Sequence, residues 1–260
     1  MDCLGSPFSL IIGGVFMLST EFKIEYTETK CEGKTTAIIV AAGLSKRMVG
    51  IDKQFIELCG KPVIARSISA FENCDKIDNI VVVARKDSIL KIQKIVETEG
   101  FKKVSDIVEG GSIRAESVRK GVEVCLDSKV LLIHDGARPL VTDEIIKSVI
   151  DATEIYGACT CGVKVKNTIK IIDKSGMIIS TPNRDTLLSI QTPQGFKTEV
   201  YKEAIKRVLG NSIKITDDCM LVELMGKDVF TVDGSYENIK ITTNEDILLA
   251  ESIIRDRESI

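Results

Sequence analysis

A chain of 260 residues, 44% apolar and 28% charged, has material for one large α/β domain or two small ones. Its 35 basic and 38 acidic side chains leave a net charge of −3. That argues against a broad nucleic-acid surface, which needs clustered excess cation, so an anionic ligand must be held by a local cationic pocket. The eight cysteines include no CxxC pair, and scattered thiols in an α/β domain fit a reducing cytoplasm. Cys159-Thr-Cys161 puts two thiols on one face of a strand, which reads as core filling rather than a metal site.

Residues 1–34 differ from the rest. Phe8–Leu18 is apolar but too short to span a bilayer. No Lys or Arg precedes it, which weakens a signal-peptide reading. A polar stretch follows to residue 34, so the segment is expected to be a disordered leader rather than a membrane anchor, ahead of a domain over 35–257. Strands are predicted over 36–42, 79–84, 104–108 and 130–134, each apolar and β-branched. Amphipathic helical spacing occupies 61–73, 86–99 and 113–127. This alternation predicts βαβ units: an α/β, Rossmann-like, mainly parallel sheet with helices on both faces. Sites in such sheets lie beyond the carboxyl ends of the strands.

From Cys159 the pattern changes. Two extended segments around Lys174-Ser175-Gly176 form a predicted hairpin arm over about 162–182, alternating as though one face were covered. An isolated hairpin is marginal in water, so this arm must pack on something, and a second subunit is one cover. Helices at 197–209 and 216–226, strands at 229–232 and 238–241, and a helix at 243–257 complete the chain.

Four clusters fall at strand ends. The first begins Ala41-Ala42-Gly43 and carries Arg47 and Lys53. Small residues let backbone amides approach a ligand, and two cations beyond them favour a polyphosphate. The second is Glu109-Gly110-Gly111-Ser112, leading into a helix; Ser112 is the expected N-cap, with Ser117 one turn inside facing a ligand. The third is His134-Asp135-Gly136-Ala137-Arg138. The fourth combines Asn183-Arg184-Asp185, Gln191-Thr192-Pro193-Gln194 and Asn238-Ile239-Lys240. Each has a plain structural alternative: Asp135 paired with Arg138, Lys240 on an edge strand facing solvent, and His134, the lone histidine, as a structural group. Their joint occurrence at strand ends favours function. No GxxxxGK[ST] motif occurs, and Ser45 replaces the second glycine of GxGxxG, which disfavours P-loop and nicotinamide-binding folds.

The series AAGLSKRM, DKQF, GKPVIARSISAF, GGSIRAESV, HDGARPLV, VKNTIK, TPNRDTL, QTPQGF, ITDDCMLVE and ENIKITTNEDILLAE, over about 35–255, resembles the 2-C-methyl-D-erythritol 4-phosphate cytidylyltransferase family of the non-mevalonate isoprenoid pathway. The resemblance implies Mg²⁺-dependent transfer of CMP from CTP, a substrate, to methylerythritol phosphate in a homodimer of the cytoplasm, without nucleic acid or membrane partners. It implies that Arg47 and Lys53 stabilise the transition state, while Ala41, Ala42, Gly43, Gly110 and Ser117 form the CTP site. Asp135 would stand near ribose and magnesium. Arg138, Thr168, Arg184, Thr192 and Lys240 would hold the acceptor, with Arg184 and Lys240 positioning its phosphate, and the arm would carry Thr168 and Arg184 to the partner subunit. Val40, Ser45, Ser112 and Asn167 depart from residues frequent in that family. A ribitol- or glycerol-phosphate cytidylyltransferase and a non-catalytic nucleotide-binding module are the alternatives.

Overall fold

The computed structural model describes residues 33–43, 52–208 and 215–259. Nearly all of the expected leader, and Arg47, lie outside them. In chain order the strands are β1 (Lys34–Val40), β2 (Glu57–Leu58), β3 (Lys61–Pro62), β4 (Asn79–Ala84), β5 (Val104–Glu109), β6 (Ser128–Asp135), β7 (Ala158–Lys164), β8 (Ile171–Ile172), β9 (Ile178–Ser180), β10 (Leu188–Lys197) and β11 (Phe230–Asp233). The helices are α1 (Val63–Glu72), α2 (Ile89–Glu99), α3 (Arg114–Glu123), α4 (Asp143–Tyr156), α5 (Thr198–Val208), α6 (Cys219–Leu224) and α7 (Asn244–Glu258).

Seven strands form one sheet in the order β11-β7-β10-β6-β1-β4-β5. β1 pairs parallel with β4 on one side and β6 on the other, and β5 extends the sheet parallel to β4. Because β1 is covered on both faces, its sequence is a continuous apolar run rather than an alternating one. Successive residues still divide between two cores. Ala37 and Ile39 pack with Ile64 and Ile68 of α1 and Ile146 and Val149 of α4. Ile38 packs on the opposite face with Val118 of α3, Ala204 of α5 and Val222 of α6. Helices thus cover both faces of a mainly parallel sheet, as the alternation predicts.

The short hairpin of β2 and β3 has no counterpart in the sequence reading, and it takes the start of the helix expected at 61–73; α4 and β10 have none either. α4 follows β6 directly, and β10 runs antiparallel to both β6 and β7. β10 contains Gln191-Thr192-Pro193-Gln194-Gly195, a composition without strand propensity, so only its place between two strands makes it one. The strand expected at 238–241 is absent. Asn238 N–H donates to Ser235 O and Ile239 N–H to Glu237 O, so local turn bonds replace a ladder, and Ile241 N–H reaches Ala137 O at 2.8 Å. The predicted helix 113–127 stops at Glu123, and the first turn of the helix expected at 86–99 is a 3-10 turn over Lys86–Ser88. Cys159 and Cys161 lie fully buried in β7, filling core as expected.

The arm is a hairpin of β8 and β9 paired only with each other, turning at Gly176 with φ +89°, a left-handed conformation that favours glycine. The expectation of a covered face fails within one chain: Ile171, Ile172, Ile178 and Ile179 are 49–64% exposed. Among the described residues no helix is long and apolar enough to cross a membrane.

Candidate functional site

The chain leaves β1 for β4 on one side and returns to β6 on the other, so the loops beyond the carboxyl ends of β1 and β6 diverge and open a crevice. A cavity of about 700 Å³ occupies this position. Ala42 and Gly43 line it after β1, Gly110 and Gly111 after β5, and Asp135 at the end of β6. The strand ends are fastened to one another: Ala41 N–H donates to Val83 O at 2.7 Å, Gly110 N–H to Ala84 O at 2.7 Å and Gly136 N–H to Val40 O at 2.9 Å. Gly110 approaches β1 so closely that a Cβ there would lie 2.3 Å from Ala42 Cβ. The described lining carries six cationic side chains, Lys53, Arg85, Lys86, Arg114, Lys120 and Lys240, against the carboxylates of Glu109, Glu116 and Asp135. In a chain of net negative charge this is the local cationic pocket an anion requires.

Asp135 is the centre of that charge. Its Oδ2 lies 2.8 Å from Lys240 Nζ and 3.6 Å from Arg138 Nε, and its Oδ1 lies 3.5 Å from Arg114 Nε. Burial alone would raise its pKa; the charges of Lys240 and Arg114 outweigh burial and hold the carboxyl well below the usual range. Arg114 is itself fixed from behind. Its Nη1 bonds Asp218, a fully buried carboxylate that also accepts from Tyr201 Oη at 2.6 Å. The Asp218 N–H in turn donates to Gln194 Oε1 of β10 at 3.0 Å. Arg138 donates through Nη1 to Asn238 O at 2.7 Å. Asp135 thus stays ionised within a bonded frame drawn from β6, α3, α6 and the turn before α7.

His134 confirms its structural reading. It is fully buried, and burial lowers its pKa to about 4, so the ring is neutral at pH 7. Its Nε2 lies 3.0 Å from Arg138 O; a carbonyl only accepts, so Nε2 carries the proton and Nδ1 is the acceptor. Thr192 Oγ1 donates to Nδ1 at 3.1 Å and accepts from Asp135 N–H at 3.1 Å. The buried Thr192 hydroxyl is thereby spent on fixing the backbone of Asp135 and does not line the cavity.

The second glycine loop differs in detail from expectation. Ser112 is not the N-cap of α3; Ile113 holds that position. Ser112 N–H and Oγ instead donate to Glu116 Oε2 at 2.8 and 3.0 Å, which keeps the half-buried Glu116 carboxyl below its ordinary pKa. Ser117 Oγ accepts from Gly111 N–H at 3.0 Å and donates to Ile113 O at 3.0 Å, so it shapes the loop at the cavity wall. Lys120 Nζ donates to Gly110 O at 3.0 Å.

Of the residues singled out from sequence, Ala42, Gly43, Lys53, Gly110, Ser117, Asp135 and Lys240 line the cavity. Ala41 and Arg138 do not line it; Ala41 N–H bonds Val83 O and Arg138 pairs with Asp135. Thr168 and Arg184 do not reach it within this chain: both are exposed near the arm, and Arg184 Nη1 donates to Lys166 O at 3.0 Å. Arg47 falls outside the described residues. Sequence reasoning missed Arg85 and Lys86 after β4, and Arg114 with its partner Asp218. Arg114 and Asp218 stand inside quoted motifs, but nothing local pairs residues 104 positions apart.

A model of the family described as "IspD: 2-C-methyl-D-erythritol 4-phosphate cytidylyltransferase" matches residues 35–256. A protein of that description from Clostridium tetani is 47% identical over 223 residues, 85% of this chain and 91% of that protein. Another from Clostridium novyi is 45% identical over 86% of this chain and 97% of its own length. Among solved structures, 4-diphosphocytidyl-2C-methyl-D-erythritol synthase from Anaerococcus prevotii superposes with a TM-score of 0.77 at 34% identity, covering 86% of this chain and 96% of that one.

Proposed function

The chain belongs to the 2-C-methyl-D-erythritol 4-phosphate cytidylyltransferase family and transfers the cytidylyl group of CTP to that phosphate in isoprenoid synthesis; from this premise we propose how its residues carry the reaction. The observation that supports the reading most is the ionised Asp135 held among Lys240, Arg114 and Arg138 at the wall of a cationic cavity.

A phosphate oxygen of the acceptor attacks the α-phosphorus of CTP, and the bond from that phosphorus to the bridging oxygen of pyrophosphate breaks. The attacking phosphate is mostly dianionic at neutral pH, with a second pKa near ~6. No general base is needed, which agrees with a histidine that is buried, neutral and fully bonded. The obstacles are repulsion between two phosphates and charge growing on the leaving group, and fixed cations offset both. Lys53, with Arg47, takes the triphosphate. The loops at Ala41-Ala42-Gly43 and Gly110, shaped by Ser117, take the nucleoside. Lys240 spends one of its three donors on Asp135, leaving the others for the acceptor phosphate. Arg138 and Thr192 serve the acceptor side by fixing Asp135, from which its position follows.

A divalent cation fits this donor set. Mg²⁺ typically takes one or two protein carboxylates and completes its shell with substrate phosphates and water. Asp135, ionised at the cavity wall, would be the carboxylate that holds it. The one group of three potential ligands among the described residues, Cys74, Asp75 and Asp143, does not line the cavity. Held at Asp135, Mg²⁺ would supply charge neutralisation for the triphosphate and the leaving pyrophosphate. Thr168 and Arg184 serve the cavity of a second copy, reached by the arm in a homodimer; the exposed isoleucines of the arm support this.

Pyrophosphate release from CTP tests the reading. Turnover is expected with methylerythritol phosphate and Mg²⁺, and its loss on chelation with recovery on added Mg²⁺. Turnover with ribitol phosphate in preference would overturn the acceptor assignment, and full activity after chelation would overturn the metal.

A further inference from the structure

Lys53 opens a 3-10 turn over Lys53–Phe55, and Asp52 is its cap. Asp52 Oδ1 accepts from Gln54 N–H at 3.2 Å, and Asp52 O accepts from Phe55 N–H at 3.0 Å. The other carboxylate oxygen, Oδ2, forms an ion pair with Arg85 Nη2 at 2.9 Å. One side chain therefore fixes the backbone that carries Lys53 and ties it to the residue following β4. Arg85 is locked in turn. Asp87 clamps it with Nε–Oδ1 3.0 Å and Nη2–Oδ2 3.2 Å, and Ser88 Oγ accepts from Nη2 at 3.3 Å. A planar guanidinium held by a bidentate carboxylate has a defined direction, which a surface lysine lacks.

Arg85 and Lys53 line the same cavity, so two roles are open to Arg85: direct contact with the triphosphate, or placement of Lys53. The pairing decides between them. Two carboxylates, Asp52 and Asp87, offset the charge of Arg85, leaving little field for a phosphate. A three-residue turn, by contrast, has too few internal hydrogen bonds to hold its own direction. We infer that Arg85 is a positioning residue: through Asp52 it fastens the Lys53 turn to the carboxyl end of β4, and it acts on the triphosphate only through Lys53. This rests on the reading that Lys53 engages the triphosphate.

The test measures kcat, KM for CTP and CTP binding by calorimetry for Arg85→Ala, Arg85→Lys and Asp52→Asn, each in wild-type and Lys53→Ala backgrounds. Melting curves run alongside. Displacing a reacting group by about 1 Å can cost up to ~10²-fold; Arg85→Ala is expected to lower kcat roughly 10-fold. Asp52→Asn keeps the capping oxygen but loses the charge that holds Arg85, and should match that loss. Arg85→Lys should recover part of it. In the Lys53→Ala background each further loss, in turnover or in CTP affinity, should fall below about 2-fold. An undiminished further loss there, or wild-type kcat in Arg85→Ala, overturns the inference. Should Arg85→Ala melt early, Asp52→Asn decides by the same criteria. The underlying reading fails separately: wild-type turnover in Lys53→Ala alone removes Lys53 from the reaction.

Discussion

Asp135 is anchored at both ends, its carboxylate by Lys240, Arg114 and Arg138 and its N–H by Thr192, whose hydroxyl also holds the neutral ring of His134. That ring has a measurable consequence. Its folded pKa of about 4 lies below the unfolded value near 6.5, so the unfolded state binds the proton first and stability rises with pH between the two values. The contribution is complete above about pH 6.5 and is lost as pH falls through about 4. Between pH 7.5 and pH 5 it should weaken the fold by about 2 kcal/mol. Urea unfolding of the wild type and of His134→Gln at both pH values tests this, with the wild type losing more on acidification. Equal losses in both proteins would remove the buried neutral ring from the account. A structural role for His134 was one of the readings the sequence left open, although its place at a strand end favoured function. Its partners were not legible, because Thr192 lies 58 residues away in a strand with no strand-like sequence.

Loops that end the strands carry the pocket, and their close approach is set by residue size. Between Gly110 and Ala42 there is no room for a methyl: a Cβ would lie 2.3 Å from another Cβ. Gly110→Ala must push the β1 and β5 loops apart, at a cost of about 1–3 kcal/mol, and CTP affinity should fall at least roughly 10-fold, the equivalent of ~1.4 kcal/mol. Among the described residues nothing lies within 4 Å of where a Cβ on Gly43 would stand, so Gly43→Ala should melt near the wild type. Equal melting temperatures and equal CTP affinity for Gly110→Ala and wild type would show that the two loops can separate freely. Both glycines could be picked from sequence because they end apolar runs, yet only the packing distinguishes the crowded one from the open one. The same limit explains the missing strand at 238–241. Its alternating residues suit a strand, but turn bonds at Asn238 and Ile239 consume the donors a ladder needs.

Over the whole molecule, the arm is an element whose sequence and surroundings disagree within a single chain. Its exposed isoleucines ask for a cover that β8 and β9 do not find. A partner copy supplies it in the proposed homodimer. Ile171→Asp with Ile178→Asp should convert dimer to monomer in sedimentation and lower turnover together, because Thr168 and Arg184 would no longer reach a site. A monomeric variant with wild-type turnover would place the acceptor contacts elsewhere. By itself the sequence determined the layered α/β architecture, the glycine loops at strand ends, and the cations beside them. Those depend on spacing and propensity within a strand, a helical turn or a loop. The tertiary structure alone decided which charges meet: Arg114 with Asp218 and Asp135, Lys240 with Asp135, and Arg85 with the cap of the Lys53 turn. Crossovers bring residues a hundred positions apart to the same strand ends, and a charged side chain carries no local mark of the partner it will find there.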